Sequence, residues 1–322
     1  MDFRSDNTHG ASPEIIDALI RANEGRATSY GDDAWTERVR RRCSEIFEAE
    51  VDVFPVVTGT AANALAIAGL TPNAIYCHQE SHIYLEELRA AELFSGAKMI
   101  PIDGADGKLH VDELALRPGG CLSITHTTEA GTVYSAEELH ALGSFAKSNG
   151  CSVHLDGARF ANAVASTGAS PADVTWRAGV DVLSFGATKN GAVAAELIVL
   201  FDRARRAELA KQWHRAGQRL SKMRFVSAQL EAYLTDDLWL RNARHANAMA
   251  VRLAAGLNAE IVRPVEANIV FARFTPAVAK ALQQQGFLFY DWTLFGENVW
   301  RMVCGFTTTE AEVDALIAAA LT

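Results

Sequence analysis

Hydrophobic and polar positions alternate along this chain with two different periods. Short apolar runs bounded by turn residues predict strands at 51–57, 74–77, 98–102, 121–125, 151–155, 180–184 and 197–201. Between them, amphipathic or alanine-rich stretches predict helices at 13–22, 33–47, 61–70, 84–93 and 136–148. Strands separated by helices predict a mainly parallel sheet covered on both faces, with the ligand site at the carboxyl ends of the strands.

The pattern changes in the last third of the chain. It is helical from residue 207 to about 257, and a second strand and helix rhythm follows at 267–274, 276–285, 300–304 and 309–321. The 322 residues are enough for about two domains of roughly 150 residues each. The sequence therefore predicts an α/β protein, with an N-terminal segment and large domain at 1–240 and a small C-terminal α/β domain at 241–322.

Composition and charge remove several classes of function. The net charge is -9 and the longest basic run is the three arginines at 40–42, so the chain lacks the clustered cations that nucleic-acid binding needs. Its first residues have no apolar signal-peptide core, and no segment approaches the roughly 18 apolar residues of a membrane span. The five scattered cysteines include no C-x-x-C pair. They predict buried thiols in a reducing cytoplasm rather than disulfides or a metal site.

Two apolar runs end in turns that each carry one ionisable group. The first, at 153–159, presents Asp156, and the second, at 183–191, presents Lys189 inside a glycine-rich turn. A lysine can form an imine with pyridoxal phosphate (PLP), and a carboxylate can keep the pyridine nitrogen protonated so that the ring accepts electrons. This pairing predicts a PLP site, although Asp156 alone could be a helix cap and Lys189 alone a surface residue.

A third turn has the composition of an anion site. Thr58-Gly59-Thr60 follows a predicted strand and opens a predicted helix, where free backbone N–H groups and the helix dipole attract a phosphate. The signal is weak by itself because small-residue turns before helices are common. The chain has neither the G-x-x-x-x-G-K signature of a nucleotide loop nor the G-x-G-x-x-G fingerprint of a dinucleotide site.

Further candidates are single polar residues in otherwise apolar surroundings. His82 follows the strand at 74–77, and a histidine there is as often structural as functional. His154 shares a strand face with Asp156, which predicts a packing or supporting residue. Arg159 and Arg301 are candidates for a carboxylate clamp, because a guanidinium group binds a carboxylate with two hydrogen bonds. A charge in the apolar strand around Arg301 needs a partner.

Nearly end to end, the chain resembles the L-threonine aldolases, PLP enzymes of the aspartate-aminotransferase-like fold (fold type I). Four motifs carry the resemblance, in the order in which the family has them. They are Arg4-Ser5-Asp6 (R-S-D), Tyr30-Gly31-Asp32-Asp33 (Y-G-D-D), Thr58-Gly59-Thr60-Ala61-Ala62-Asn63 (T-G-T-x-A-N) and His154-Leu155-Asp156-Gly157-Ala158-Arg159 (H-x-D-G-A-R).

The resemblance implies a role for each matching residue. Lys189 would form the imine with PLP and act in catalysis, and Asp156 would bind the pyridine nitrogen. Gly59 and Thr60 would hold the phosphate, while His82 would stack on the ring and help to manage the proton of the substrate hydroxyl group. The residues that would bind the substrate carboxylate are Ser5, Arg159 and Arg301. Because family members are tetramers built from paired dimers, the residues implied to serve the neighbouring subunit's site are Tyr30 and a basic group at Lys222 or Arg224.

The implied reaction is retro-aldol cleavage of a β-hydroxy-α-amino acid to glycine and an aldehyde. Threonine, allo-threonine and phenylserine-like substrates all stay open, because the family's E-N-T-H-N stretch is changed here. Thr128 stands where its histidine falls, with His126 two residues earlier, and the lysine turn reads Thr188-Lys189-Asn190-Gly191 rather than S-K-G-L. Alternatives are a β-eliminating lyase, a racemase or an aminotransferase on the same fold, and a non-catalytic PLP-fold binding protein. A nicotinamide dehydrogenase has no glycine fingerprint to support it.

Overall fold

The computed structural model describes residues 1–321. Twelve helices are α1 (Pro13–Ala22), α2 (Ala34–Ile46), α3 (Gly59–Gly69), α4 (His82–Leu85), α5 (Ala90–Ser95), α6 (Ala136–Ser148), α7 (Phe160–Thr167), α8 (Arg206–Arg215), α9 (Arg224–Leu234), α10 (Leu238–Gly256), α11 (Pro276–Gln284) and α12 (Glu310–Ala320). Eleven strands are β1 (Asp52–Val56), β2 (Ala74–His78), β3 (Lys98–Ile102), β4 (Cys121–Thr125), β5 (Ser152–Gly157), β6 (Val182–Gly186), β7 (Glu196–Leu200), β8 (Glu260–Ile261), β9 (Ile269–Arg273), β10 (Tyr290–Asp291) and β11 (Val299–Val303). These are counts of α-helices and strands over 1–321, with short 3₁₀ turns between them.

The large sheet has seven strands in the order β1-β7-β6-β5-β4-β2-β3. Only β7 runs antiparallel to its neighbours, so the prediction of a mainly parallel sheet is confirmed. Its central strands β4, β5 and β6 are buried along almost their whole length because helices cover both faces. Val153, Leu155, Val182 and Leu183, for example, have no solvent-exposed surface. The carboxyl ends of β5 and β6 therefore lie side by side at one edge of the sheet.

The small sheet has four antiparallel strands in the order β10-β11-β9-β8. Apolar side chains from α10, α11 and α12 share a second core with this sheet. Phe3 belongs to that core, and its backbone bonds to both Leu288 and Val303 at 2.8 Å. The N-terminal segment is thereby held against the C-terminal sheet. The domain boundary that we place between residues 240 and 241 stays a prediction, and α10 runs through it.

The predicted helix at 84–93 is wrong. The chain forms one turn of helix in α4, breaks, and resumes in α5. Leu88 and Arg89 between them adopt left-handed backbone conformations, with φ of 47° and 63°. A right-handed helix cannot continue through such residues. The break places Glu87 inside the protein beside His82, which a continuous helix would not be expected to do.

Three properties of the described residues bear on the sequence predictions. All five cysteines are buried and free. None of the helices in 1–321 is both long and apolar enough to cross a bilayer. That same stretch contains no grouping of three or more histidine, cysteine or acidic side chains that could hold a metal ion.

Candidate active site

Lys189 lies on a tightly held turn at the end of β6. The turn is a short 3₁₀ segment, Thr188–Asn190. The carboxylate of Glu196, on the neighbouring strand β7, accepts a hydrogen bond from the Ala187 backbone N–H at 2.6 Å. The Asn190 amide donates to the Tyr233 hydroxyl and to a backbone carbonyl, both at 2.8 Å. These bonds fix the backbone that carries the lysine and leave its amine facing a cavity.

Asp156 lies in β5 and faces the same cavity as Lys189. The cavity, which we call the Lys189 cavity, has a volume of about 430 Å³ and is lined by both residues. Asp156 is 2% exposed, and its two carboxylate oxygens accept hydrogen bonds from the Ala158 N–H at 2.9 Å and the Asn63 amide at 3.0 Å. Asp156 and Lys189, which the sequence places at the ends of two strands, thus line the same cavity.

The N-terminus of α3 forms another wall of the Lys189 cavity. Gly59 and Thr60 are the first two residues of this helix, and both line the cavity. Thr58 caps the helix by accepting a bond from the Ala61 N–H at 3.1 Å. The remaining free N–H groups of the first turn and the helix dipole make this wall suitable for an anion.

A buried hydrogen-bonded chain connects Asp156 to His82. The Asn63 amide donates to Asp156 and also to Glu87 Oε1, at 2.9 Å. The same Glu87 oxygen lies 2.9 Å from His82 Nδ1, and the other Glu87 oxygen has no partner in the described residues. The bond to Glu87 raises the pKa of His82 above its usual value, although burial of the ring acts in the opposite direction. Glu87 therefore orients the imidazole and favours its protonated form.

A second, smaller cavity adjoins the first and contains two buried arginines. This arginine cavity has a volume of about 260 Å³, and Ser5, Arg159 and Arg301 line it. Arg301 is 8% exposed; its guanidinium lies 4.9 Å from the centre of the Trp292 ring, and its Nε has no hydrogen-bond partner among residues 1–321. Burial lowers the pKa of Arg301, and the nearby Arg159 charge lowers it further. A buried, unpaired guanidinium at a cavity wall is a binding group for an anion.

Arg159 differs from Arg301 because it already has a carboxylate partner. Its Nε and Nη2 donate to the two oxygens of Asp6, at 2.7 and 3.1 Å, and the Asn268 amide donates to the same carboxylate at 3.2 Å. Burial tends to raise the pKa of Asp6, but the charges of Arg159 and Lys189, with these hydrogen bonds, outweigh it and lower the pKa to about 2. Asp6 thus fixes the orientation of Arg159 and leaves its third nitrogen for the cavity.

The two cavities meet at Lys189 and His82, which line both of them. A molecule held by its carboxylate at the arginines can therefore present an adjacent amine to Lys189. One end of the site suits a phosphorylated ring and the other suits an amino acid.

A family model for beta-eliminating lyases matches residues 2–277. The low-specificity L-threonine aldolases of a Pseudomonas species and of Pseudomonas aeruginosa are 39% and 40% identical to the chain; each alignment covers 98% of this chain, and 96% and 95% of those proteins. The chain belongs to the L-threonine aldolases of the beta-eliminating lyase family. A structure of threonine aldolase from Leishmania major superimposes with a TM-score of 0.92 at 26% identity, over 99% of this chain and 98% of that one. The predicted family and fold are confirmed.

For this member of the aldolase family, the structure brings most of the predicted site residues together. Gly59, Thr60, His82, Asp156 and Lys189 line the Lys189 cavity, and Ser5, Arg159 and Arg301 line the arginine cavity. The Ser5 hydroxyl also accepts a bond from the Asn7 N–H at 3.2 Å.

The three residues implied to serve a neighbouring subunit line neither cavity. Tyr30 is 49% exposed and borders a separate depression beside Arg219. Its backbone N–H bonds to the carbonyl of Ser221, so Tyr30 and Lys222 lie near each other. Arg224 begins α9 and donates to the Gly25 carbonyl at 3.3 Å. Their implied role stays a prediction.

Two histidines near the site are structural. His126 is fully buried against Phe160, with ring centres 5.5 Å apart, and lines neither cavity. Burial lowers its pKa to about 4, and this histidine, two residues before Thr128, does not reach the substrate side of the site. His154 is also fully buried, bonded at 2.9 Å to Ser123 and to Ser184, as expected of a packing residue.

Sequence reasoning missed Glu87, Asn63 and Asp6 as site residues. Asn63 and Asp6 lie inside motifs that carried the family resemblance, which is a signal for both. Glu87 follows another glutamate in an apparent helix, and nothing local distinguishes the two. Their side chains differ in the structure because the break at Leu88 buries one and leaves the other exposed.

Glu87→Gln is expected to move the titration of His82 to lower pH. The amide removes the negative charge whose hydrogen bond is the largest cause of the raised pKa, so the ring loses its proton at a lower pH than in the parent protein. NMR titration of the imidazole measures this midpoint. The matched control is Glu86→Gln, which alters an exposed neighbour whose side chain makes no hydrogen bond to the His82 ring. Equal shifts in both variants would contradict the assignment.

Proposed function

We propose that this chain is a PLP-dependent aldehyde-lyase that cleaves a β-hydroxy-α-amino acid into glycine and an aldehyde. The observation that carries the proposal is the position of Lys189, which lines two adjoining cavities. One of them contains Asp156 and the N-terminus of α3, and the other contains the buried, unpaired Arg301. The names of the two Pseudomonas relatives support the same reaction. The substrate class that we propose includes threonine, allo-threonine and phenylserine-like compounds.

The residues of the Lys189 cavity fit PLP. Lys189 would hold the aldehyde carbon covalently, Asp156 would pair with the pyridine nitrogen, and Gly59 and Thr60 would bind the phosphate through the first turn of α3. His82 would cover one face of the ring. When bound, PLP supplies an acceptor for the electron pair that is released as a bond at the substrate Cα breaks.

The arginine cavity would position the substrate. Arg301, the free nitrogen of Arg159 and Ser5 would bind its carboxylate, with Asp6 holding the Arg159 fork in place. Fixing the carboxylate and the amine sets the direction of the Cα–Cβ bond relative to the ring, which selects the bond that breaks. His82, oriented by Glu87, lies at the junction where the β-hydroxyl group would come and would form a hydrogen bond with its oxygen.

The proposed assembly is a homotetramer made of two dimers, located in the cytoplasm. Besides Lys189, the ionisable side chains of the Lys189 cavity are His82 and the acids Glu87, Asp156 and Glu196. A phosphate dianion would therefore gain from a cation supplied by another subunit. Lys222 or Arg224 of a neighbouring subunit would supply this cation, and Tyr30 would lie beside the same site. All three residues line neither cavity of their own chain.

The proposed function is tested with purified protein, added PLP and a small panel of β-hydroxy amino acids. We expect glycine and the matching aldehyde in equal amounts. A β-elimination, the second candidate because the matching family model is that of beta-eliminating lyases, would instead give ammonia and a keto acid. A protein that binds PLP but releases no product from any member of the panel would overturn the proposal.

A further inference from the structure

The tip of a short hairpin after β4 presents Glu129 to the arginine cavity. The hairpin is closed by backbone bonds between Thr128 and Thr132 and between Gly131 and Thr128, both of 2.9 Å. The Thr132 hydroxyl is anchored to the Asp106 carbonyl at 2.7 Å, and Gly131 has the positive φ of 79° that this turn requires. The position of Glu129 is therefore set by a rigid frame and not by a mobile loop.

Thr128, which stands where the family resemblance places a histidine, turns away from the cavity. It is 1% exposed, and its hydroxyl bonds to Thr132 at 2.7 Å. The next residue, Glu129, is partly buried and lines the cavity. This segment therefore brings a carboxylate, and no imidazole, to the substrate side of the site.

The Glu129 carboxylate has no partner of its own. Across residues 1–321 it takes part in no hydrogen bond and no ion pair. Its negative charge acts to raise the pKa of His82, Arg159 and Arg301, in each case less strongly than burial does, so the carboxylate lies near all three groups. The other acids that line this cavity, Glu80 and Glu86, are not among the main influences on these pKa values.

Glu129 lines the same cavity as His82 and the two arginines that would bind the substrate carboxylate. In the proposed binding mode the arginines bind the carboxylate and the amine faces Lys189. The β-hydroxyl group is then left to the part of the cavity wall to which His82 and Glu129 both belong. His82 is less suited to accept a proton, because its bond to Glu87 favours the protonated ring. An unpaired carboxylate is the acceptor that remains.

We infer that Glu129 is a catalytic residue that accepts the proton of the substrate β-hydroxyl group while His82 donates a hydrogen bond to the same oxygen. The O–H bond of the substrate breaks and a carboxyl O–H bond forms on Glu129. The electron pair left on the substrate oxygen becomes the second bond of the aldehyde carbonyl group. The Cα–Cβ electron pair stays with Cα, where PLP would supply an acceptor for it. Cα then takes up one proton from solvent to complete glycine, and Glu129 releases one, so that the protons balance. This inference rests on the proposed aldol cleavage.

The test compares a reaction that needs the hydroxyl proton with one that does not. Glycine has the amine and carboxylate of the substrate but no β-hydroxyl group, so exchange of its Cα hydrogen with D₂O uses the same cofactor and carboxylate site but needs no acceptor for a hydroxyl proton. In Glu129→Gln holoenzyme we expect kcat for cleavage to fall by about 10²- to 10⁴-fold, the usual contribution of a general base. Glycine exchange should stay within about threefold of the parent rate, and Glu129→Asp should recover part of the cleavage.

Two results would overturn the inference. One is a Glu129→Gln enzyme that cleaves the substrate nearly as fast as the parent, and the other is a parallel loss of glycine exchange, which would mean a role in folding or in cofactor binding. Glu80→Gln is the matched control for loss of an acid from the wall of the same cavity. Failure of the proposed function is a separate outcome, because the parent enzyme would then release no aldehyde.

Discussion

Lys189→Ala is expected to lower kcat for aldol cleavage by at least about 10⁴-fold, as loss of a covalent nucleophile does in other enzymes. The variant should also lose the visible absorption band of the link between PLP and the protein. The fold should be unchanged, because the turn is held by Glu196 and Asn190 through bonds that do not involve the lysine amine. Stopped assays of aldehyde release and an absorption spectrum measure the two effects.

Lys98→Ala is the control for Lys189→Ala. Lys98 is 85% exposed and pairs with Glu92 at the surface of β3, away from both cavities. It should keep the parent rate and spectrum. Near-normal cleavage by Lys189→Ala would show that the covalent role lies with another residue.

Asp156→Asn is expected to lower kcat by about 30- to 3,000-fold while the covalent link to PLP persists. The amide keeps the size of the side chain and an acceptor for the Ala158 N–H, but it removes the buried charge that would pair with the pyridine nitrogen. Loss of one partner of a buried hydrogen-bonded charge pair costs about 2–5 kcal/mol, which corresponds to that range of rates. The spectrum and the cleavage rate of the same preparation separate binding from catalysis.

An Asp156→Asn enzyme that retains more than a third of the parent kcat would contradict this assignment of the acid. Asp103→Asn is a suitable control, since that surface carboxylate bonds to Gln79 and lines neither cavity. Loss of both the spectrum and the rate in Asp156→Asn would indicate a role in binding the cofactor.

The large sheet could be predicted from sequence because its strands are buried on both faces. Most residues of the strands around Val153 and Leu183 are apolar. Asp156 and Lys189 stand at or just after the ends of these strands, where the apolar run stops. The direction of β7 could not be read in this way, since an apolar strand has the same pattern whether it runs parallel or antiparallel. The broken helix at 84–93 was missed for a different reason. Leu88 and Arg89 are residues that rarely adopt a positive φ, so no local signal marks the break.

The ionisable residues of the site could be predicted individually, but their partners could not. Arg159 and Asp6 are 153 positions apart, and their pairing is known only once the N-terminal segment is placed against the C-terminal sheet. The pairing changes how Arg159 can bind a substrate, because two of its three guanidinium nitrogens already donate to Asp6. Likewise, the chain from Asp156 through Asn63 and Glu87 to His82 joins three separate elements. Sequence spacing does not record such contacts.

The most direct measurement is chemical mapping of the lysine that carries PLP. The purified protein is incubated with PLP, reduced with borohydride to make the link permanent, digested, and analysed by mass spectrometry. We expect a single modified peptide, and it should contain Lys189. A pyridoxyl group on any other lysine, or none after incubation with saturating PLP, would contradict it.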